Sequence, residues 1–312
     1  MQNSLPSGSL RTIHDCSPWP TSARVAPRPR RRSTAASGAL AYALDGDIYV
    51  ADPDGSNAVK IADGRPAEDC AGYPGTYWAE GSMWSPDGRY LAYRRFHCSS
   101  QALGRDRGDV VISDTAGNVL AAFPAEGWDI GWSPDSSRVA VWDTLFEKVG
   151  VYGVDGTRHA LVTMPPGWHP SGDHDPAWLR DGTLAVDDVE IPPDGGAAGR
   201  LDLARYNEWR DDYLATVGLR VDSPDGSHTA YVAGRRGRSL RVEGSDGSGS
   251  VTLLTAESGR SLRVIGFSPR GDRILFSETT DSGESSLWSV GVDGSGARLV
   301  VAGTMDGEWL SR

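Results

Sequence analysis

The chain reads as an all-β protein, a six-bladed β-propeller of four-stranded antiparallel blades. Three observations carry that reading. A phrase recurs: Trp84-Ser85-Pro86-Asp87-Gly88, Trp132-Ser133-Pro134-Asp135-Ser136, and the decayed copies Trp178-Leu179-Arg180-Asp181-Gly182, Asp222-Ser223-Pro224-Asp225-Gly226 and Phe267-Ser268-Pro269-Arg270-Gly271. The copies start 48, 46, 44 and 45 residues apart, a period that fits a repeat array with one supersecondary unit per copy. A second turn signal recurs between the copies, an Asp-Gly pair between short alternating runs, as at Asp54-Gly55, Asp155-Gly156 and Asp293-Gly294, which is a strong hairpin signal.

Each repeat follows one order. A short apolar strand ends at the Trp or Phe, and Ser-Pro-Asp-Gly turns the chain, with Pro presetting φ and Asp and Gly accepting the tight reversal. An alternating second strand follows, as in Arg89 to Tyr93, Arg138 to Trp142 and Arg273 to Phe276. Two more strands flank the Asp-Gly hairpin: Ile48-Tyr49-Val50 leads into Asp54-Gly55, Val149 to Tyr152 into Asp155-Gly156, and Leu287 to Val290 into Asp293-Gly294. Four antiparallel strands per repeat make a propeller blade. The first repeat begins at Gly38 with a second strand, and its Trp-bearing strand is missing. Trp309 lies 42 residues after Phe267, so the last strand is expected to complete the first blade and close the ring. The fourth repeat is irregular: Leu201 to Leu214 is charged and aromatic, a short helix or a long loop.

Residues 38–312 are thus expected to form the propeller, and residues 1–37 a disordered basic tail or a start-site extension. The net charge of −11 is unevenly spread: residues 1–37 hold six Arg and one Asp, about +5, leaving the remainder near −16. A body that acidic disfavours nucleic-acid binding, which draws on Lys and Arg. No run approaches the ~18–20 apolar residues of a membrane span. Arg28 to Arg32 followed by Ser33 to Leu44 makes a poor secretory signal, and Leu40-Ala41-Tyr42 is better read as a strand matching Leu91-Ala92-Tyr93. As written, the sequence reads as cytoplasmic.

At these residues the chain resembles the TolB-like, or WD40-like (PD40-type), propeller-repeat family, over roughly residues 38–312. The resemblance implies the fold strongly and the function weakly, since such propellers serve many roles. Members are often extracytoplasmic and bind proteins or peptides at the channel mouth, so the resemblance implies a periplasmic or secreted protein. TolB also carries an N-terminal α/β domain that residues 1–37 cannot form, and its role is not carried over.

The blade order divides the loops between two faces. The Ser-Pro-Asp-Gly turns and the Asp-Gly hairpins share one, the turn face; the interblade loops and second-to-third-strand loops share the other, the variable face. The variable face is expected to collect Tyr73, Tyr77, Trp78, Phe96, His97, Trp128, Trp168, His169, His174 and Trp209, either as a recognition surface or as side chains packing the loops down. Residues three before each inner-strand Trp or Phe are expected near the channel mouth: Gly81, Asp129, Asp175, Leu219, Val264 and Asp306. Three carboxylates there would attract a cation or a basic peptide side chain, or else would cap turns. Cys70 and Cys98 are expected in loops of that face, as a disulfide in an oxidising compartment or as two reduced thiols; Cys16 is left over. His169, Asp173, His174 and Asp175 form the densest set of metal-ligand types, but they lie on no rigid element, and no metal is assigned. Trp84, Trp132, Trp178, Phe267 and Trp309 are assigned to packing between blades.

No Gly-x-Ser-x-Gly elbow, phosphate loop or Cys-x-x-Cys pair occurs. Asp52-Pro53-Asp54-Gly55 lacks the sixth-position Gly of a Ca²⁺ loop and carries Lys60 at the ninth, which leaves a hairpin turn. The expected role is a non-enzymatic scaffold, without cofactor and monomeric, that binds a protein or peptide, including basic ones, through Tyr77, Trp78, Trp128, Asp129, Trp168, His169, His174, Asp175 and Asp306. The alternative is a carbohydrate- or small-molecule-binding propeller, including a metal-dependent lyase or hydrolase using the 168–175 loop.

Overall fold

The computed structural model describes residues 38–63, 79–100, 105–125, 130–144, 148–166, 176–216, 219–235, 237–304 and 307–310. They form six four-stranded antiparallel sheets and one helix. The first sheet contains β1 (Leu40–Leu44), β2 (Asp47–Ala51) and β3 (Val59–Ala62). β4 (Ala79–Trp84), β5 (Tyr90–Ser100), β6 (Arg105–Asp114) and β7 (Val119–Ala125) make blade 2. Blade 3 is β8 (Ile130–Trp132), β9 (Arg138–Thr144), β10 (Lys148–Gly153) and β11 (Arg158–Thr163). Blade 4 is β12 (Ala177–Trp178), β13 (Leu184–Val186), β14 (Val189–Ile191) and β15 (Gly199–Arg200), followed by α1 (Leu203–Thr216). Blade 5 is β16 (Arg220–Asp222), β17 (His228–Ala233), β18 (Ser239–Gly244) and β19 (Val251–Thr255). Blade 6 is β20 (Arg260–Phe267), β21 (Arg273–Thr280), β22 (Ser285–Gly291) and β23 (Arg298–Ala302). The last strand, β24 (Gly307–Trp309), pairs antiparallel with β1, Leu40 opposite Trp309 and Tyr42 opposite Gly307, and completes blade 1. Among the described residues no helix is long and apolar enough to cross a membrane.

In blades 2, 3, 5 and 6 the first turn is held by a small, self-contained network. In blade 2 the Ser85 hydroxyl donates to Asp87 Oδ1 at 2.7 Å and accepts the Tyr90 N–H at 3.0 Å. Blade 3 repeats it with Ser133, Asp135 and Arg138, and blade 5 with Ser223, Asp225 and His228. In blade 6, where Arg270 stands at the Asp position, Ser268 donates to Asp272 instead. Gly88, Gly182, Gly226 and Gly271 end these turns at positive φ. Blade 3 has Ser136 there, at φ 61°, a conformation that costs an L-residue about 1–2 kcal/mol. Ser136 Oγ offsets part of that cost by accepting the Asp87 N–H of blade 2 at 2.9 Å, which clips the two turns together.

Side chains alternate across each strand, so every blade presents one face to the preceding blade and one to the following. Trp84 is buried against the β1 alanines of blade 1, Trp132 against blade 2, and Trp309 against Leu275 and Leu287 of blade 6. Phe267 lies in the core joining blades 5 and 6. Blades 3 and 4 share a core of Trp142, Val149, Val162, Leu184 and Ile191, with Trp178 half-buried at its edge.

Blade 4 departs from this scheme. Its strands are two or three residues long, and β13 turns directly into β14 through Asp187 and Asp188. Blade 5 carries Asp222 where the others carry Trp or Phe; it is exposed and accepts a hydrogen bond from Thr229 Oγ1 at 2.6 Å. α1 packs against β12 of blade 4 and β16 of blade 5 and reaches β20. Trp209, only 4% exposed, lies in a core with Ala177, Leu179 and Ala185, on the face of blade 4 that a blade 5 tryptophan would otherwise cover. The irregular stretch is therefore a helix, and it acts as the joint between two blades.

Ser136→Ala keeps the left-handed conformation and loses the clip, so it should destabilise by about 1 kcal/mol. Ser136→Gly loses the clip but relieves the strain and should lie within about 0.5 kcal/mol of wild type. Urea unfolding of both variants checks the pair. The turn aspartates add an acid limb. Hydrogen bonds from Ser223 and Ser227 hold Asp225 well below the usual carboxylate value of 3.8, and Asp87 and Asp135 are lowered too. Stability from these groups is present above that unfolded value and is lost as pH falls through the lower folded values. Urea midpoints followed downward from neutral pH should fall less steeply for Asp225→Asn than for wild type.

Candidate functional site

Most of the expected binding face falls outside the described residues: Tyr73, Tyr77, Trp78, Trp128, Asp129, Trp168, His169, Asp173, His174, Asp175 and Asp306, together with Cys70. What is described is the scaffold that carries them. The inner strands β24, β4, β8, β12, β16 and β20 lie at the channel edge of their sheets. The connections between β3 and β4, β7 and β8, β11 and β12, and β15 and β16 enter these strands from the variable face.

Several placements differ from expectation. Phe96, His97 and Cys98 belong to β5 and not to a loop, because the β5–β6 hairpin runs on to Ser100 opposite Arg105. Val264 does not line the mouth. A bulge between Val264 and Gly266 shifts the register of β20, and Val264 is fully buried in the core between blades 5 and 6. Leu219 is 50% exposed ahead of β16, while Trp209 is packing and not surface. Among the described residues no group of three or more His, Cys, Asp or Glu could hold a metal ion.

One ionisable group on the inner strands escaped the sequence reading. Glu308 stands on β24 one residue before Trp309, so its side chain points to blade 2 while the tryptophan points to blade 6. Its Oε2 accepts the Trp84 backbone N–H at 2.7 Å. That N–H belongs to the edge of β4 that has no strand beside it, and the carboxyl group covers it; Glu308 as a residue is half-buried, with its carboxyl group at the buried end. Burial pushes its acid up to about 7, with the Trp84 hydrogen bond opposing the shift. The matching residues of the other blades are Met83, Gly131, Ala177, Val221 and Gly266. A carboxylate in a column otherwise uncharged was the available signal; the Asp-Gly turn just ahead of it masked the comparison.

The turn face holds an open cavity of about 390 Å³ between blades 3 and 4, lined by Ser137, Arg138, Trp178, Arg180, Asp181 and Pro193. The two turns that flank it are not clipped together as those of blades 2 and 3 are. Gly182 occupies the Ser136 position of blade 4 and offers no hydroxyl to the turn of blade 3. The charged lining is largely engaged. Arg138 bonds Asp194 at 2.6 Å, Asp135 accepts from Ser133 and Ser137, and Asp181 accepts from Arg205 at 3.0 Å. The cavity offers a shaped, nearly neutral surface and no described nucleophile–base pair.

α1 lies beside the cavity, and its anchoring bears on how rigid that part of the lining is. Arg205 reaches Asp181 and, at 3.8 Å, Glu190, while Glu208 accepts the Arg180 N–H at 2.8 Å. These contacts are solvent-accessible, worth about 1 kcal/mol or less per pair. Trp209→Ala should cost about 3–5 kcal/mol, as buried tryptophan truncations do. Arg205→Ala should cost under about 1 kcal/mol. Calorimetry or urea unfolding of the two variants ranks packing against ion pairing at this joint.

No protein-family model and no curated protein matches the sequence. Among solved structures, TolB from Acinetobacter baumannii is similar, with a TM-score of 0.51 at 15% identity, covering 87% of this chain. The chain spans 66% of that protein's length. The dihydro-heme d1 dehydrogenase NirN is similar at 13% identity and a TM-score of 0.49, with 92% of this chain and 78% of that one covered. At such identities the likeness is one of fold, and the fold of this chain is that of a TolB-like β-propeller.

Proposed function

We propose that this chain is a non-enzymatic scaffold that binds a protein or peptide through its variable face and channel mouth. The observation that supports this most is the asymmetry of the scaffold. The turn face is built from short networks that close within five residues, as in Ser85, Asp87 and Tyr90. The connections entering the inner strands from the other side are unlike one another: those before β4 and β12 span residues 63–78 and 164–176, the one before β16 carries α1, and those before β8, β20 and β24 are four residues each. Binding groups are commonly carried on such variable loops over a rigid frame. Tyr77, Trp78, Trp128 and Trp168 supply the aromatic side chains that dominate protein interfaces, and Asp129, Asp175 and Asp306 supply charge for a basic partner. Size is no obstacle: a standard interface needs about 800 Å² from each partner, a modest share of one face.

The small-molecule reading draws on the turn-face cavity, whose volume of about 390 Å³ lies within the range of ligand sites. A ligand in that cavity would sit on the face opposite the aromatic loops, so a variable-face mutant separates these two sites, while the alternative at the 168–175 loop shares the variable face and is tested by chelation.

A Trp78/Trp128/Trp168 triple alanine variant should lose binding to the native partner by at least tenfold, since interface tryptophans often contribute about 2 kcal/mol or more each. Recovery of partners from the source organism by wild-type and triple-mutant chains gives the first comparison, and titration of the purified partner gives the second. Equal recovery and equal affinity would sink the variable-face reading. Unchanged melting of the wild type in EDTA would in turn remove the metal-dependent alternative at the 168–175 loop.

A further inference from the structure

Glu308 lies where the last strand closes blade 1 against the first full blade. β24 meets β1 across three residue pairs, and the Gly38 and Leu310 N–H groups extend the pairing to Leu310 and Ala39 carbonyls. The Glu308 carboxyl group then reaches across the seam to the backbone of Trp84, 224 residues away in sequence. Leu310 packs beneath the same blade, its side chain filling the space beside Gly88. The strand is short, its own pairing is slight, and beside the apolar contact of Leu310 its hydrogen-bonded link to blade 2 passes through an ionisable group.

We propose that Glu308 is a protonation-controlled latch on the ring-closing seam: as a neutral acid it holds β24 against the inner strand of blade 2, and on losing its proton it loosens that seam. A neutral carboxyl group accepts the Trp84 N–H through its carbonyl oxygen at little desolvation cost. The ionised form accepts the same bond more strongly. It must also leave water with a single donor to meet it, and one hydrogen bond does not compensate a carboxylate for that loss. The elements packed against β24 are β1, β4 and β20. β1 brings no charge, only the Tyr42 phenol, which burial keeps protonated. The described side chains of β4, Met83 and Trp84, bring no charge, and β20 brings Arg263 and Arg260, the latter tied to Glu278. Desolvation is the leading cause of the Glu308 shift, and no charge on these strands contributes to it.

The sign follows. The acid moves from its ordinary 4.5 to about 7 in the closed ring. The seam is therefore most stable below 4.5, and that stability is lost as pH rises through 7. An open seam returns the group to water, so the opening equilibrium grows by up to about tenfold per pH unit between those values and levels off above them. The rigidity of the channel wall beside blade 1 thereby responds to pH in the neutral range.

Amide hydrogen exchange on the full chain, corrected for the intrinsic rate at each pH, reads this at the Trp84 and Leu310 amides. Between about pH 5 and about pH 8, wild-type protection at both should fall more than tenfold. The Ser268 amide, bonded within its own turn to Arg273, should hold its protection. Glu308→Gln keeps an acceptor and cannot ionise, so its Trp84 and Leu310 protection should change less than about twofold. Parallel losses in wild type and variant would overturn the latch, as would a loss shared equally by Ser268. Carboxyl-detected NMR of the wild type gives an answer that does not depend on the variant folding. A Glu308 midpoint near 7 supports the proposal, and one near 4.5 overturns it.

Discussion

A four-stranded sheet has two faces, and in a ring each must be covered by a neighbour. The rest of this structure depends on that constraint. The inner-strand tryptophans meet it: Trp84, Trp132 and Trp309 each reach back to the preceding blade and end in its apolar face. A buried aromatic removes about 150–250 Å² from water, several kcal/mol at about 25 cal/mol per Å². The surface ion pairs of the turn face are each worth about 1 kcal/mol at most. Packing between blades therefore decides the architecture, and turn chemistry decides where each blade begins. The fourth joint is the instructive one. Blade 5 carries an exposed aspartate, Asp222, in place of the packing residue, and the face it would have covered is covered by Trp209 from α1. The loss of one aromatic and the gain of a helix are two sides of the same solution.

Much of this was legible before any coordinates, for a physical reason. Ser-Pro-Asp-Gly and Asp-Gly are local devices whose hydrogen bonds close within about five residues, so the sequence window that encodes them also contains them. Six four-stranded blades and the completion of the first blade by the strand of Trp309 followed from turn spacing alone. What was not legible is non-local. The run Leu201 to Leu214 was helical or loop-like on paper, and nothing in it announces that Trp209 would meet Ala177 and Ala185. The bulge that buries Val264 leaves no mark in the spacing of the repeat. Strand ends were hidden too. Phe96 to Ser100 lack the alternation of a half-buried strand, yet the long β5–β6 hairpin includes them. For the binding face itself, the expected side chains lie outside the described residues, and the scaffold supports the reading only through the loops it leaves unlike one another.

Glu308 illustrates a different limit. Single residues carry no periodic signal, and a Glu beside a Trp near the end of a chain looks ordinary. Its meaning comes from a column of equivalent positions, Met83, Gly131, Ala177, Val221 and Gly266, that becomes visible once the blades are superposed in the mind by register. Gly131 shows how tight that column can be: a side chain there would collide with the Pro176 carbonyl of the next blade. At blade 1 the same gap is wide enough for a carboxyl group, and a backbone N–H at its far side gives that group one partner. The closing seam thus exchanges close backbone approach for a single polar bridge.

Two joints of the ring are therefore built differently from the others, and their placement bears on what the scaffold can do. Between blades 4 and 5 a helix carries the contact, with side-chain packing and solvent-accessible ion pairs in place of sheet on sheet. Between blades 1 and 2 sheets do meet, but the strand that completes blade 1 comes from the far end of the chain and is three residues long. Sheet-on-sheet cores are close-packed and resist deformation, and the joint between blades 1 and 2 keeps one, so the helix joint between blades 4 and 5 is where the frame yields first. Loops on both sides of that joint ride on a compliant frame, and those of blades 2 and 3, where Ser136 clips the turns together, ride on a stiff one.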